Sequence, residues 1–193
     1  MAEAPDFAYL ADTHDYRDLA TGVSYPSITQ MLETCGHLDT RWYTPEAAAR
    51  GSAIHARAEA LDRGQDDPGD EIAIAPYITA YRRATGILRP VWAYIEVPFV
   101  HPEWRFGGTP DRVGQIAGAQ AVLDLKAGGA EAWHALQTAL QAILVAPELR
   151  LPAETLVRYA LYLTTRGTFR LSRHRDATDF DEARRIIRRC CAG

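Results

Sequence analysis

The stretch from Arg105 to Lys126 limits what this chain can become more than any other. Arg105 to Ile116 and Ala119 to Lys126 read as two strands joined by a tight turn at Ala117-Gly118. With a two-residue turn, Ile116 faces Ala119, and counting outward sets Asp111 opposite Asp124. Directly opposed side chains have Cβ atoms about 4.5–5.5 Å apart, a distance at which like charges destabilise a sheet. Two carboxylates so placed need a shared proton or a cation between them, and a divalent metal with oxygen ligands meets that need. Along the second strand, Ala121, Leu123 and Leu125 point one way, and Val122, Asp124 and Lys126 the other. Lys126 therefore shares the face of Asp124, just before a break at Gly128-Gly129.

Lys126 is also the only lysine among 21 basic residues; every other one is arginine. A surface cation tolerates either residue, whereas a compact ammonium of tunable pKa is not replaced by a planar guanidinium. The survivor is expected where arginine cannot substitute.

The rest of the pattern surrounds this hairpin with helices. The first 24 residues read as irregular, and Ser27 caps a short helix over Ile28 to Cys35. Thr44 and Pro45 open a long alanine-rich helix that Gly64 closes, with Ile54, Ala58 and Leu61 on its apolar side. Gln65 to Asp70 reads as a polar loop, and Ile72 to Thr85 as a helix despite Pro76. Val91, Ala93, Ile95, Val97 and Phe99 alternate as the apolar face of a strand, which points Glu96 the other way. Ala130 to Ala146 forms a helix with Leu136, Leu140 and Ile143 or Leu144 inward and Pro147 beyond its end. Thr155 to Thr165 and Thr168 to Arg173 pair as a hairpin turning at Arg166-Gly167, and Asp179 to Cys191 closes the chain as an amphipathic helix. No repeat and no low-complexity linker interrupts 193 residues. The expectation is one α/β domain, a central mixed β-sheet flanked by helices, with its core over about residues 25–175 and a last helix over about 179–191.

Composition sets outer bounds. At 47% hydrophobic and 24% charged, the chain lies far from the disordered class. There is no apolar run of membrane-spanning length and no signal-peptide pattern in Met1 to Asp6, so a cytoplasmic location is expected. Cys35, Cys190 and Cys191 make neither a disulfide framework nor a four-ligand metal set, and read as reduced thiols. A net charge of −4 does not advertise a polyanion partner, yet arginines cluster at 82–83, over 166–175 and over 184–189. For any one of these clusters, solvated surface is the first reading.

Two helices carry further polar groups. His55 and Glu59 lie one turn apart beside the Ile54 stripe, with Gly51 a turn earlier. Gln137 and Gln141, with Trp133 and His134 nearby, form a polar stripe on the helix after Lys126. In order, Arg50-Gly-Ser-Ala-Ile-His55 with Glu59, Glu96, Gly108-Thr-Pro-Asp111, Asp124-Leu-Lys126 and Gln137 resemble the motifs of the PD-(D/E)XK nucleases, and within them the RecB-like branch with its small phage-type exonucleases. Tyr25-Pro-Ser-Ile-Thr-Gln-Met-Leu32 is similar to the opening segment of those proteins.

The resemblance implies a restriction-endonuclease-like core and a Mg²⁺- or Mn²⁺-dependent deoxyribonuclease, bacterial or phage-encoded, whose partner is DNA. It implies metal binding by Asp111, Asp124, the Leu125 carbonyl and His55, with Lys126 orienting the attacking water and offsetting transition-state charge. Arg50, Glu59, Glu96, Gln137 and Gln141 are the candidate substrate contacts. Gln141 stands where the motif usually carries tyrosine. The four-cysteine pattern of iron–sulfur relatives is absent, so no cluster is expected. An exonuclease of recombination or repair is the first reading and an endonuclease the second; a recombinase, annealing protein or helicase partner is compatible with both. A nuclease-fold module that only binds DNA or protein is the alternative from another class.

Overall fold

In the computed structural model, residues 6–11, 13, 15–39, 44–65 and 72–191 are described. The chain opens with a three-stranded antiparallel sheet, β1 (Phe7–Leu10), β2 (Asp15–Asp18) and β3 (Ser24–Tyr25). Then come α1 (Ile28–Thr34), α2 (Pro45–Asp62), α3 (Ala75–Leu88) and β4 (Val91–Ile95). A short pair, β5 (Phe99–Val100) and β6 (Gly107–Gly108), precedes the hairpin β7 (Arg112–Ile116) and β8 (Ala119–Lys126). Helix α4 (Trp133–Leu149), the hairpin β9 (Val157–Leu163) and β10 (Phe169–His174), and α5 (Thr178–Cys191) complete the order.

The central sheet runs β10-β9-β8-β7-β4. All its pairings are antiparallel except β8 with β9, which α4 connects in parallel. The sheet is therefore mixed, as expected. Because β8 is covered on both sides, its alternation sorts residues between two cores. Ala121, Leu123 and Leu125 pack with Ile54 and Ala58 of α2 and Ile78 of α3. Val122 packs with Val113, α1, α4 and α5 on the opposite face. Asp124 and Lys126 are on this second face, beside α4.

The turn is as tight as the sequence demands. Ile116 pairs with Ala119 and Arg112 with Leu123, while Ala117 and Gly118 both have positive φ, 50° and 79°. Two such residues in succession suit the primed hairpin turn that matches strand twist. Helix boundaries follow their caps: the Ser27 side chain accepts from Gln30 N–H, and Thr44 accepts from Ala47 N–H ahead of Pro45.

Several expectations require correction. The N-terminal segment is not irregular, since β1–β3 form a sheet whose Tyr16 ring packs on Gly107; a Cβ there would lie 2.2 Å from the ring. The strand expected over 105–116 is interrupted at 109–111, between β6 and β7. The strand expected over 91–99 stops at Ile95, because Glu96 adopts φ 50° and turns the chain. Its alternation also fails. A bulge between Trp92 and Tyr94 shifts the register, leaving Val91 68% exposed while Trp92 and Tyr94 pack on the cores. Pro147 lies inside α4, not past it; the helix ends at Arg150, in the left-handed conformation, whose N–H bonds the Ala146 and Pro147 carbonyls. Residues 66–70 of the expected polar loop fall outside the described residues. Among those described, no helix is long and apolar enough to cross a membrane.

The bulge depends on a glycine. A Cβ on Gly114 would lie 2.2 Å from the Val91 carbonyl oxygen and 2.7 Å from the Trp92 Cα, both backbone atoms. Gly114→Ala is expected to lower unfolding free energy by about 1–3 kcal/mol in urea titrations. An unchanged midpoint would show that β4 yields at no cost.

Candidate active site

The hairpin's open end and the turn after β4 bring the polar residues together. Asp111 lies one residue before β7, and four groups of the surrounding backbone and side chains hold it. Its carbonyl accepts from Glu96 N–H at 3.0 Å and from Arg112 Nη1 at 2.6 Å. Its Oδ2 accepts from Leu125 N–H at 2.6 Å, and its Oδ1 lies 3.5 Å from His55 Nδ1. The first of these bonds explains Glu96. The left-handed turn that ends β4 aims its N–H at Asp111 and brings its side chain to the same place, with Oε1 3.3 Å from His55 Nδ1.

His55, Glu96 and Asp111 thereby offer one ligand atom each, all within 4.8 Å of one another. Asp124 stands alongside, 1% exposed. Its Oδ1 accepts from Gln141 Nε2 at 3.0 Å, and its Oδ2 pairs with Lys126 Nζ at 2.7 Å. Lys126 in turn donates to Gln137 Oε1 at 2.7 Å, and its ammonium lies 4.8 Å from the centre of the Trp133 ring.

The electrostatics are those of negative charge crowded out of water. Burial pushes the Asp111 carboxyl above its ordinary range, and Asp124 and Glu96 add to the rise. The Asp111 carboxylate pushes the His55 imidazole up, with Glu96 and Asp124 contributing.

Arg112 supplies the fixed counter-charge, and sequence reasoning overlooked it. It is fully buried, with Nε 2.5 Å from Asp62 Oδ2 and Nη1 3.0 Å from Glu96 Oε1; Tyr81 also donates to Asp62. A signal was available. In the hairpin alternation, Arg112 shares the apolar face of Ile116, so an arginine there demanded buried acids.

The other candidates divide. Gln141 and His134 are not on a wet stripe: Gln141 is 3% exposed and holds Asp124, while His134, 3% exposed, bonds the Tyr162 hydroxyl at 2.9 Å. Glu59 turns to Arg63 at 2.9 Å, and Arg63 bonds the Ile95 carbonyl, so this pair anchors α2 to the end of β4. Among the described residues, Arg50 makes no contact with the cluster. Of Leu125, the structure shows the N–H bonded to Asp111.

A cleft of about 460 Å³ opens over these groups, lined by His55, Glu96, Asp111, Gln137 and Gln141. Tyr9, Tyr16, Thr29 and Gln30 form its opposite wall, which assigns the N-terminal sheet and α1 to the site. The Tyr16 hydroxyl bonds Thr109 Oγ1 at 2.7 Å, tying that wall to the segment before Asp111. A second cleft of about 450 Å³ lies at the far end of α4, beside Trp104 and Leu151, and carries no metal-ligating trio among the described residues.

No family model matches the chain, and no curated protein matches it. Among solved structures, a provisionally assigned exonuclease from Eubacterium rectale aligns over 82% of this chain and 68% of its own, at 13% identity and a TM-score of 0.49. The LHK-Exo alkaline exonuclease of Laribacter hongkongensis aligns over 87% of this chain and 86% of its own, at 12% identity and a TM-score of 0.41. Its complex with dAMP aligns equally far, at 13% and 0.42. At these values the likeness carries no inference about chemistry, which rests on the side chains themselves.

Removing the buried guanidinium leaves Asp62 and Glu96 without their cation. Arg112→Gln is expected to cost roughly 3 kcal/mol or more in thermal unfolding. Wild-type stability in this variant would show that the acids are satisfied without it.

Proposed function

We propose that the chain is a divalent-metal-dependent nuclease that hydrolyses DNA phosphodiester bonds, acting as an exonuclease in recombination or repair. The observation that carries this reading is the convergence of His55, Glu96 and Asp111 within 4.8 Å, beside the Asp124–Lys126 pair. The motif order along the chain supports the exonuclease form.

The donor set fits a metal. One imidazole nitrogen and carboxylate oxygens suit Mg²⁺ or Mn²⁺, and the three carboxyl groups exceed the two permanently charged side chains, Arg112 and Lys126, that pair with them. His55, Glu96 and Asp111 would hold the ion, with Asp124 adjoining and the Leu125 carbonyl as a further candidate. When bound, such an ion supplies Lewis acidity and positive charge against the anionic phosphate.

The chain's own residues do the rest. Leu125 N–H fixes the Asp111 carboxylate and Glu96 N–H holds the Asp111 backbone carbonyl, so the side chain is oriented before substrate arrives. Gln141 fixes Asp124 in the same way. An ammonium has three donors; Lys126 gives one to Gln137 and pairs its charge with Asp124. Its remaining donors can meet a phosphoryl oxygen or the attacking water, offsetting charge as the phosphorus–oxygen bond breaks. A planar guanidinium does not reproduce a compact ammonium of tunable pKa at this pair, which fits a lysine in a chain otherwise using arginine.

Lys126→Arg is expected to melt like the parent and to lose at least about 100-fold in Mg²⁺- or Mn²⁺-supported cleavage of linear DNA. Parental turnover would remove Lys126 from the chemistry. Asp111→Asn is expected to abolish Mn²⁺ binding in calorimetry, and unchanged binding would take Asp111 out of the ion site. Degradation of linear duplexes with sparing of covalently closed circles supports the exonuclease form. Cutting of circles assigns an endonuclease, and DNA binding without cleavage in either metal assigns a binding module.

A further inference from the structure

Among the arginine clusters, the one on the last hairpin is placed beside the candidate active site. Register sets Lys126 of β8 next to Tyr162 of β9, and Tyr162 next to Arg170 of β10. Paired residues in a sheet project from the same face, so these three side chains form a row leading outward from the site. Adjacent strands lie about 4.8 Å apart, which puts the two ends of the row on the order of 10 Å from each other at the backbone.

The row is built, not incidental. The Tyr162 ring is buried, and His134 fixes its hydroxyl at 2.9 Å. The Arg170 guanidinium lies over that ring, 4.5 Å from its centre, while the residue itself remains exposed. Stacking of this kind restricts the side chain without using its hydrogen-bond donors. No carboxylate among the described residues pairs with it. The nearby acids are engaged elsewhere: Asp124 with Lys126 and Gln141, and Glu131 with Trp133 Nε1 at 2.9 Å.

Arg158, on the same face of β9, shows the contrast. It is buried and bonds Asp179 and the carbonyls of Ala135 and Asp176, which makes it structural.

We infer that Arg170 is a phosphate-binding residue that grips the substrate strand at the phosphate adjoining the one under attack, so that the strand crosses the sheet over β8, β9 and β10. The inference rests on the nuclease reading and adds the path of the substrate to it. Arg170 touches no reacting atom. It acts by preorganised positioning, with the charge already held at the place where the neighbouring phosphate arrives.

The test compares Arg170→Ala, Arg170→Lys and, on the opposite face of the same strand, Arg173→Ala. Single-stranded oligonucleotide affinity is measured in Ca²⁺ over a salt series, and Mn²⁺-supported cleavage is measured on an oligonucleotide and on bis(p-nitrophenyl) phosphate, which has only one phosphate. Arg170→Ala is expected to weaken oligonucleotide binding roughly three- to tenfold and to flatten the log–log salt slope by about 0.7. It should raise KM for the oligonucleotide and leave diester turnover unchanged. Arg170→Lys should recover part of the affinity, and Arg173→Ala should bind as the parent does. Equal affinity and slope in Arg170→Ala, or an equal loss in Arg173→Ala, would overturn the inference while leaving the nuclease reading intact. A parent protein that cleaves neither substrate would overturn both.

Discussion

Three carboxyl groups, those of Glu96, Asp111 and Asp124, meet where the β7–β8 hairpin opens. Asp111 is 7% exposed and Asp124 is 1% exposed, so water does not screen them from one another. Such a cluster is stable only because each acid has a fixed partner: Leu125 N–H for Asp111, Arg112 for Glu96, and Gln141 with Lys126 for Asp124. Both hydrophobic cores, one on each face of β8, act as the clamp that keeps those partners in register. The site is therefore assembled from β8, helix α2 and the two turns at the hairpin's open end.

That arrangement also explains the division of labour among cations. Arg112 is interior and permanently charged, shared between Glu96 and Asp62, and it holds the scaffold together. Lys126 stands beside Asp124 and is bonded to Gln137, a residue of the cleft wall. His55 stands between these two cases. The neighbouring carboxylates push its imidazole up, Asp111 most of all, and its ring nitrogen lies within 4.8 Å of ligand atoms on Glu96 and Asp111. Tyr9, Tyr16 and Gln30 close the far side, so the N-terminal sheet belongs to the cleft.

Much of this was legible wherever a local rule acted alone. The Ala117-Gly118 turn determines its own register from Arg112↔Leu123 to Ile116↔Ala119, and alternation along β8 sets Asp124 and Lys126 on one face. Capping residues and apolar spacing located α1, α2 and α5, and the single lysine pointed at the site from composition. The failures came where tertiary contacts override a local pattern. Alternation over Val91 to Phe99 looked regular, but a bulge against Gly114 and a left-handed Glu96 break it, and those two irregularities are what bring Glu96 to His55. Short β1–β3 carry little periodicity of their own and are held by Tyr16 packing on Gly107, a long-range contact with no local signature. Helical spacing showed Gln141 and His134 only as part of a polar stripe, because it cannot reveal that Asp124 and Tyr162 lie across from them.

The most direct test of the account is anomalous diffraction from crystals of the protein soaked in Mn²⁺. The account predicts one strong peak among His55 Nδ1, Glu96 Oε1 and Asp111 Oδ1, within coordination reach of each. A peak bound elsewhere, or none at this site at saturating Mn²⁺ while the three side chains keep their positions, would contradict it.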